Sequence, residues 1–309
     1  MKDLYTTLQN NFTIVNLGCI GDEDFELPDK FLKTLTVVEV DAEGEAVTSN
    51  RYFKKVSIRK PLSGRPGKQV FRRNNFAGTC SLLEPLEGMV EAYGMERYCQ
   101  LVERAELECE TLPELLKANQ IQSLDFLKTD IEGLDPEIVR SSKDYLGRTH
   151  FVQCELRFRP FYRTEPFFYE TVNLLADHGY EVLDILHIDR WKYKTPNRQL
   201  QAEGRAVWAD FLFVLKPERL ADTFGEALPE AAAKQVILSC MLGKRNYGEY
   251  LLQKFDRSLP GEWKEALLPL IRPRLPSFYQ VRQSFRRIFR PAELFLKHRI
   301  HRSEHVAIK

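Results

Sequence analysis

Three carboxylates stand where apolar, strand-like runs give way to charge. Asp130 and Glu132 close the segment LDFLKTDIEG (124–133), and Glu155 ends the apolar part of THFVQCELR (149–157). A carboxylate at a strand end can accept a hydroxyl proton, share a proton with a neighbour, or hold a cation. Oxygen-only groups of this kind suit Mg²⁺ or Ca²⁺, and the residue types leave all three roles open. Two more acids, Glu39 and Asp41, end LTVVEVD (35–41). Side chains alternate along a strand, so both fall on one face. An acid at that end can accept the two ribose hydroxyls of a nucleoside. Gly18 and Gly21 follow FTIVNL (12–17), and glycine lets the backbone turn tightly and approach a ligand closely. The spacing is not GxGxxG, which argues against a nicotinamide dinucleotide.

The elements that must position these residues follow from local pattern. LDFL (124–127) reads as a buried strand, and Asp135-Pro136 opens a short helix over PEIVRSS, with proline in its first turn. TLPE (111–114) has the pattern of a capping box ahead of the helix PELLKANQ. A third strand over 54–63 runs into Pro61, a small strand covers 69–72, and 101–109 alternates as a half-exposed strand. AGTCSL (77–82) is a loop with two hydroxyls, Thr79 and Ser81. A helix over 169–178 is capped by Gly179, and 180–188 and 205–215 form a closing pair of strands. In an open α/β sheet, ligands bind beyond the carboxyl ends of the strands. The acids and glycines above therefore mark one crevice, with the basic, aromatic run RFRPFYRTEPFFYE (157–170) available to cover it.

KTDIEG followed by a short helix resembles the K-x-D-x-E-G signature of FkbM-type methyltransferases. VNLG, an acidic second strand end, TCSL, Glu155 and HGYEV occur in the same order, and the resemblance spans about residues 11–217. It implies a Rossmann-like class I methyltransferase: α/β, with a seven-stranded, mostly parallel sheet closed by an antiparallel hairpin. It also implies S-adenosylmethionine (SAM) as cofactor and methyl transfer to a hydroxyl of a sugar, glycan or natural product. On that resemblance Asp130 is the first candidate for the base, supported by Glu132 and Glu155. Gly18, Gly21 and either Asp41 or Glu39 would hold the cofactor, Asn16 stands where the family often has an acid, and a divalent cation such as Mg²⁺ is compatible. Two alternatives stay open: a nicotinamide-dependent oxidoreductase, and a catalytically silent scaffold of glycan or membrane machinery.

Composition sets the remaining bounds. The 309 residues divide into a methyltransferase domain, 1–217, and a helical, basic C-terminal extension, 218–309. The net charge of +1 gives no reason to expect nucleic acid as a partner. The six cysteines are scattered, without CxxC or metal-ligand spacing. The chain has no signal-like N-terminal run and no 18-residue apolar stretch. A reduced cytoplasmic location and a small-molecule or glycan acceptor are expected. Residues 270–309 carry ten Lys or Arg against two Glu, with Phe278, Val281, Phe285, Ile288 and Phe289 at helical spacing. Such a basic amphipathic helix fits an anionic membrane surface at the inner face, and equally a helix docked on its own domain.

Overall fold

In the computed structural model the apolar runs become the strands of a seven-stranded sheet. The structure describes residues 3–9, 11–18, 25–42, 49–196 and 204–272. Gly21 and the basic helix expected over 278–289 lie outside them. The strands are β1 (Thr13–Leu17), β2 (Thr36–Asp41), β3 (Lys54–Arg59), β4 (Gly67–Asn74), β5 (Leu101–Cys109), β6 (Phe126–Thr129), β7 (Phe151–Arg157), β8 (Tyr180–Trp191) and β9 (Arg205–Leu215). The large sheet runs β3-β2-β1-β6-β7-β9-β8, while β4 and β5 pair with each other in a separate antiparallel sheet. β1, β2, β3, β6 and β7 are parallel to one another; β9 is antiparallel to both β7 and β8.

The direction of winding reverses between β1 and β6. β1 leads outward to β2 and β3, whereas β6 starts the other half beside β1. At such a reversal the connections leave in opposite directions and a crevice opens beyond the strand ends. Every residue of β1 is buried, and Phe126 and Leu127 of β6 are almost wholly so. This fits a strand covered on both faces, which reads as a continuous apolar run. Burying each such side chain contributes about 1.5–3 kcal/mol.

Local signals set the helix starts. Thr111 accepts from the Glu114 backbone while the Glu114 carboxylate takes the Thr111 N–H, completing the capping box ahead of the helix Leu112–Ala118. Gly179 turns the chain at φ +88° between the helix Phe168–Asp177 and β8.

The domain boundary expected at residue 217 is not a boundary in the packing. Met1–Ile271 forms one compact unit that includes the helices Pro217–Phe224, Leu228–Met241, Arg245–Lys254 and Gly261–Ile271. The helix Leu228–Met241 is buried without interruption from Ala231 to Cys240 and belongs to the same core cluster as β1, β6 and β7. A helix buried on all sides is a core element. The change from strands to helices after Pro217 therefore marks a change of layer.

Two buried ion clusters sit at opposite ends of this sheet. At the amino ends, the Lys234 ammonium lies 3.0 Å from Asp125 and 3.1 Å from Glu230. The other Asp125 oxygen accepts the Thr13 N–H at 2.7 Å. His150 lies 3.6 Å from Asp125 and stacks on Phe224; burial, with Lys234 nearby, pushes its pKa down to about 3. This cluster ties the helix Leu228–Met241 to the starts of β1, β6 and β7.

Candidate active site

The second cluster borders a cavity of about 490 Å³ at the carboxyl ends of β1, β2 and β6. Gly18 and Asp41 open onto it from β1 and β2, and Asp130 and Glu132 from the turn after β6. The far wall comes from Phe71 of β4 and the turn around Gly78. The strand ends meet closely at Gly18. Its N–H donates to Val40 O at 2.9 Å, and the Asp130 N–H donates to Leu17 O at 3.1 Å. Gly18 has φ +73°, and a Cβ there would lie 1.9 Å from the Asp130 carbonyl oxygen. Only glycine allows that contact.

The turn after β6 is unusual in its backbone. Glu132 adopts φ +53° and Gly133 φ +89°, two left-handed residues in succession. A Cβ at Gly133 would meet the Tyr162 ring at 2.6 Å, and Ser81 Oγ donates to Glu132 O at 2.8 Å. These contacts fix where the Glu132 side chain goes. Its Oε2 lies 2.9 Å from Arg157 Nη2 and accepts from Tyr162 OH at 3.2 Å.

Arg157, at the end of β7, is the hub. Its Nη2 also lies 2.8 Å from Glu155, and its Nη1 lies 3.2 Å from Glu165 Oε1. Glu165 Oε2 accepts the Phe161 and Tyr162 N–H groups at 2.7 and 3.0 Å. One buried guanidinium thus faces three glutamates, with Asp130 and Asp135 adding negative charge nearby. Burial pushes the Glu132 carboxyl up to about 7, with Arg157 pulling it back and Asp130 and Asp135 adding to the rise. Burial likewise raises Asp135 to about 7, and Glu155 well above the carboxylate range.

Gly18, Asp41, Asp130 and Glu132 therefore come together around one cavity. Glu39 and Glu155 do not line it. Glu39 lies one pleat further in than Asp41 and is ion-paired to Lys55 of β3 at 3.1 Å, both side chains buried. Glu155 does neighbour Glu132, as parallel pairing of β6 and β7 requires, but it is buried against Arg157. Among the described residues no group of three or more His, Cys, Asp or Glu is arranged to hold a metal ion. The positive partner of the carboxylates is Arg157 itself. Sequence reasoning passed over Arg157, Tyr162, Glu165 and the buried Asp135. A glutamate eight residues after an arginine, across a proline-containing loop, has no periodic signature. The one available signal was an acid and an arginine on each side of that loop, in ELR and RTE.

Residues 77–182 match the family model described as the methyltransferase FkbM domain. The match runs from the turn at the cavity's far wall, through the turn after β6 and the Arg157 cluster, into β8. The ends of β1 and β2, with Gly18 and Asp41, precede it. The match supports a methyltransferase. Among curated proteins and among solved structures, no match to the chain is found.

Proposed function

We propose that the protein is a Rossmann-like class I methyltransferase that uses SAM to methylate a hydroxyl of a sugar, glycan or natural-product acceptor. The observation that carries this reading is the cavity at the β1/β6 reversal, onto which Gly18, Asp41 and Asp130 open together. With the inserted β4–β5 pair set aside, the strand order is the doubly wound 3-2-1-4-5 with an antiparallel pair added at one edge. SAM is the usual cofactor of methyltransferases, and the residues present fit it. The volume lies within the roughly 300–1,000 Å³ of small-molecule sites. Leu17, Val40 and Leu62 offer apolar walls for a purine, and Asp41 would accept the ribose hydroxyls.

SAM, when bound, supplies an electrophilic methyl group on a sulfonium. What remains for this chain is to orient the acceptor hydroxyl, exclude water and take its proton. Asp130 and Glu132 are the cavity's candidates for that last role.

Titration calorimetry with SAM and with S-adenosylhomocysteine tests the cofactor assignment. Binding of both is expected, weakened by Asp41→Ala and unchanged by Glu39→Asp. Absence of binding, or indifference to Asp41→Ala, would count against it. Formation of S-adenosylhomocysteine across a panel of hydroxylated acceptors tests the acceptor class.

A further inference from the structure

The two Glu132 oxygens have different surroundings. Oε2 is held by Arg157 and Tyr162. Oε1 has no hydrogen bond or ion pair among the described residues, and a Cβ built on Gly78 across the cavity would stand 3.6 Å from it. The side chain keeps 23% of its exposure. Asp130, by contrast, is exposed.

The charged and titratable groups around Glu132 come from every side. β7 brings Arg157 and Glu155, the segment after it Tyr162 and Glu165, the turn itself Asp130, the following helix Asp135, and the segment before β5 Cys99. One guanidinium against three glutamates leaves surplus negative charge out of water. Either a proton or an incoming cation can relieve it.

We propose that Glu132 is the proton acceptor of this cavity, and that binding of a positively charged ligand group there, the sulfonium of SAM on the reading above, drives off the proton it holds in the free protein. Glu132 then enters the reaction ionised beside a cation. It takes the proton of the acceptor hydroxyl as that oxygen gains the methyl group, and it ends protonated beside a neutral thioether. The net charge of the cavity is the same before and after, so the cluster need not reorganise during the step.

The test is proton-counting calorimetry on the full chain, in buffers of different ionisation enthalpy. S-adenosylhomocysteine serves as control, because it has the same amino and carboxyl groups but no sulfonium. With Glu132 near 7, SAM binding at pH 7 is expected to release about half a proton. SAM affinity should rise about tenfold from pH 6 to pH 8. S-adenosylhomocysteine should show neither effect, and Glu132→Gln should abolish the difference between the two ligands. The wild-type measurement decides the matter even if that variant fails to fold. SAM binding without excess proton release overturns this inference alone. Absence of SAM binding removes the cofactor assignment and this inference with it.

Discussion

The clusters around Lys234 and Arg157 use the same materials at opposite ends of one sheet. Each has a buried cation, several carboxylates and a backbone N–H donor. They differ in closure. Around Lys234 the charges are packed between helix and strand starts, and His150 is kept neutral. Around Arg157 one of the carboxylates, Glu132, turns an oxygen towards a cavity. A buried ion pair is therefore a poor guide to function by itself; an oxygen open to a cavity is what separates the two.

That contrast can be broken most directly at Glu132. Glu132→Gln should lower methyl transfer by roughly 10²–10⁴-fold, the range for a lost acid–base group, while leaving thermal stability at pH 8 equal or higher. Parallel measurement of S-adenosylhomocysteine formation and melting temperature checks both; an active variant, or one that only unfolds, would make the two clusters alike. At the other end, Lys234→Met strands Asp125 as an unpaired buried charge. It should cost about 3–5 kcal/mol in urea unfolding with SAM affinity intact; a loss of affinity without a loss of stability would contradict the structural role. Asp41→Ala removes charged hydrogen bonds worth about 1.5–3 kcal/mol, so SAM should bind some 10–100-fold more weakly in calorimetry.

The smallest expected effect is in pH dependence, and the two clusters slope in opposite directions. His150 is depressed in the folded state, so the unfolded chain binds its proton first; that contribution to stability is lost as pH falls below about 6.5. Glu132 and Asp135 are raised, so their contribution is complete below the ordinary carboxyl range and lost as pH rises through about 7. His150→Gln should flatten the acid limb of a melting-temperature series and Glu132→Gln the neutral limb, each by a few degrees. A variant that flattens the wrong limb would refute the assignment of signs.

Much of this architecture was legible in the sequence because it is local. The apolar runs before Gly18, Asp41 and Asp130 announced strands ending in ligand-type residues, and Thr111 and Gly179 announced helix boundaries. What was not legible depends on tertiary neighbours. Glu39 and Asp41 share a face by alternation, yet only the packing of Lys55 from β3 decides that Glu39 is used internally. Arg157 reads as one arginine in a basic aromatic run until the fold brings Glu132 to it across 25 residues. The run AAAKQVILSC fell within the expected C-terminal extension; its polar residues Lys234, Gln235 and Ser239 are buried only because the fold supplies partners for them.

The left-handed backbone at Glu132 also bears on what directed evolution would find in this protein. A non-glycine residue at φ +53° costs about 1–2 kcal/mol, and a carboxylate buried there adds to the cost whenever it is charged. Glycine at position 132 would relieve both, and Arg157 would still have Glu155 and Glu165. A library screened for heat resistance alone should therefore enrich Glu132→Gly and yield sturdier proteins that no longer turn over. Thermal ranking and activity ranking would run in opposite directions at this one position.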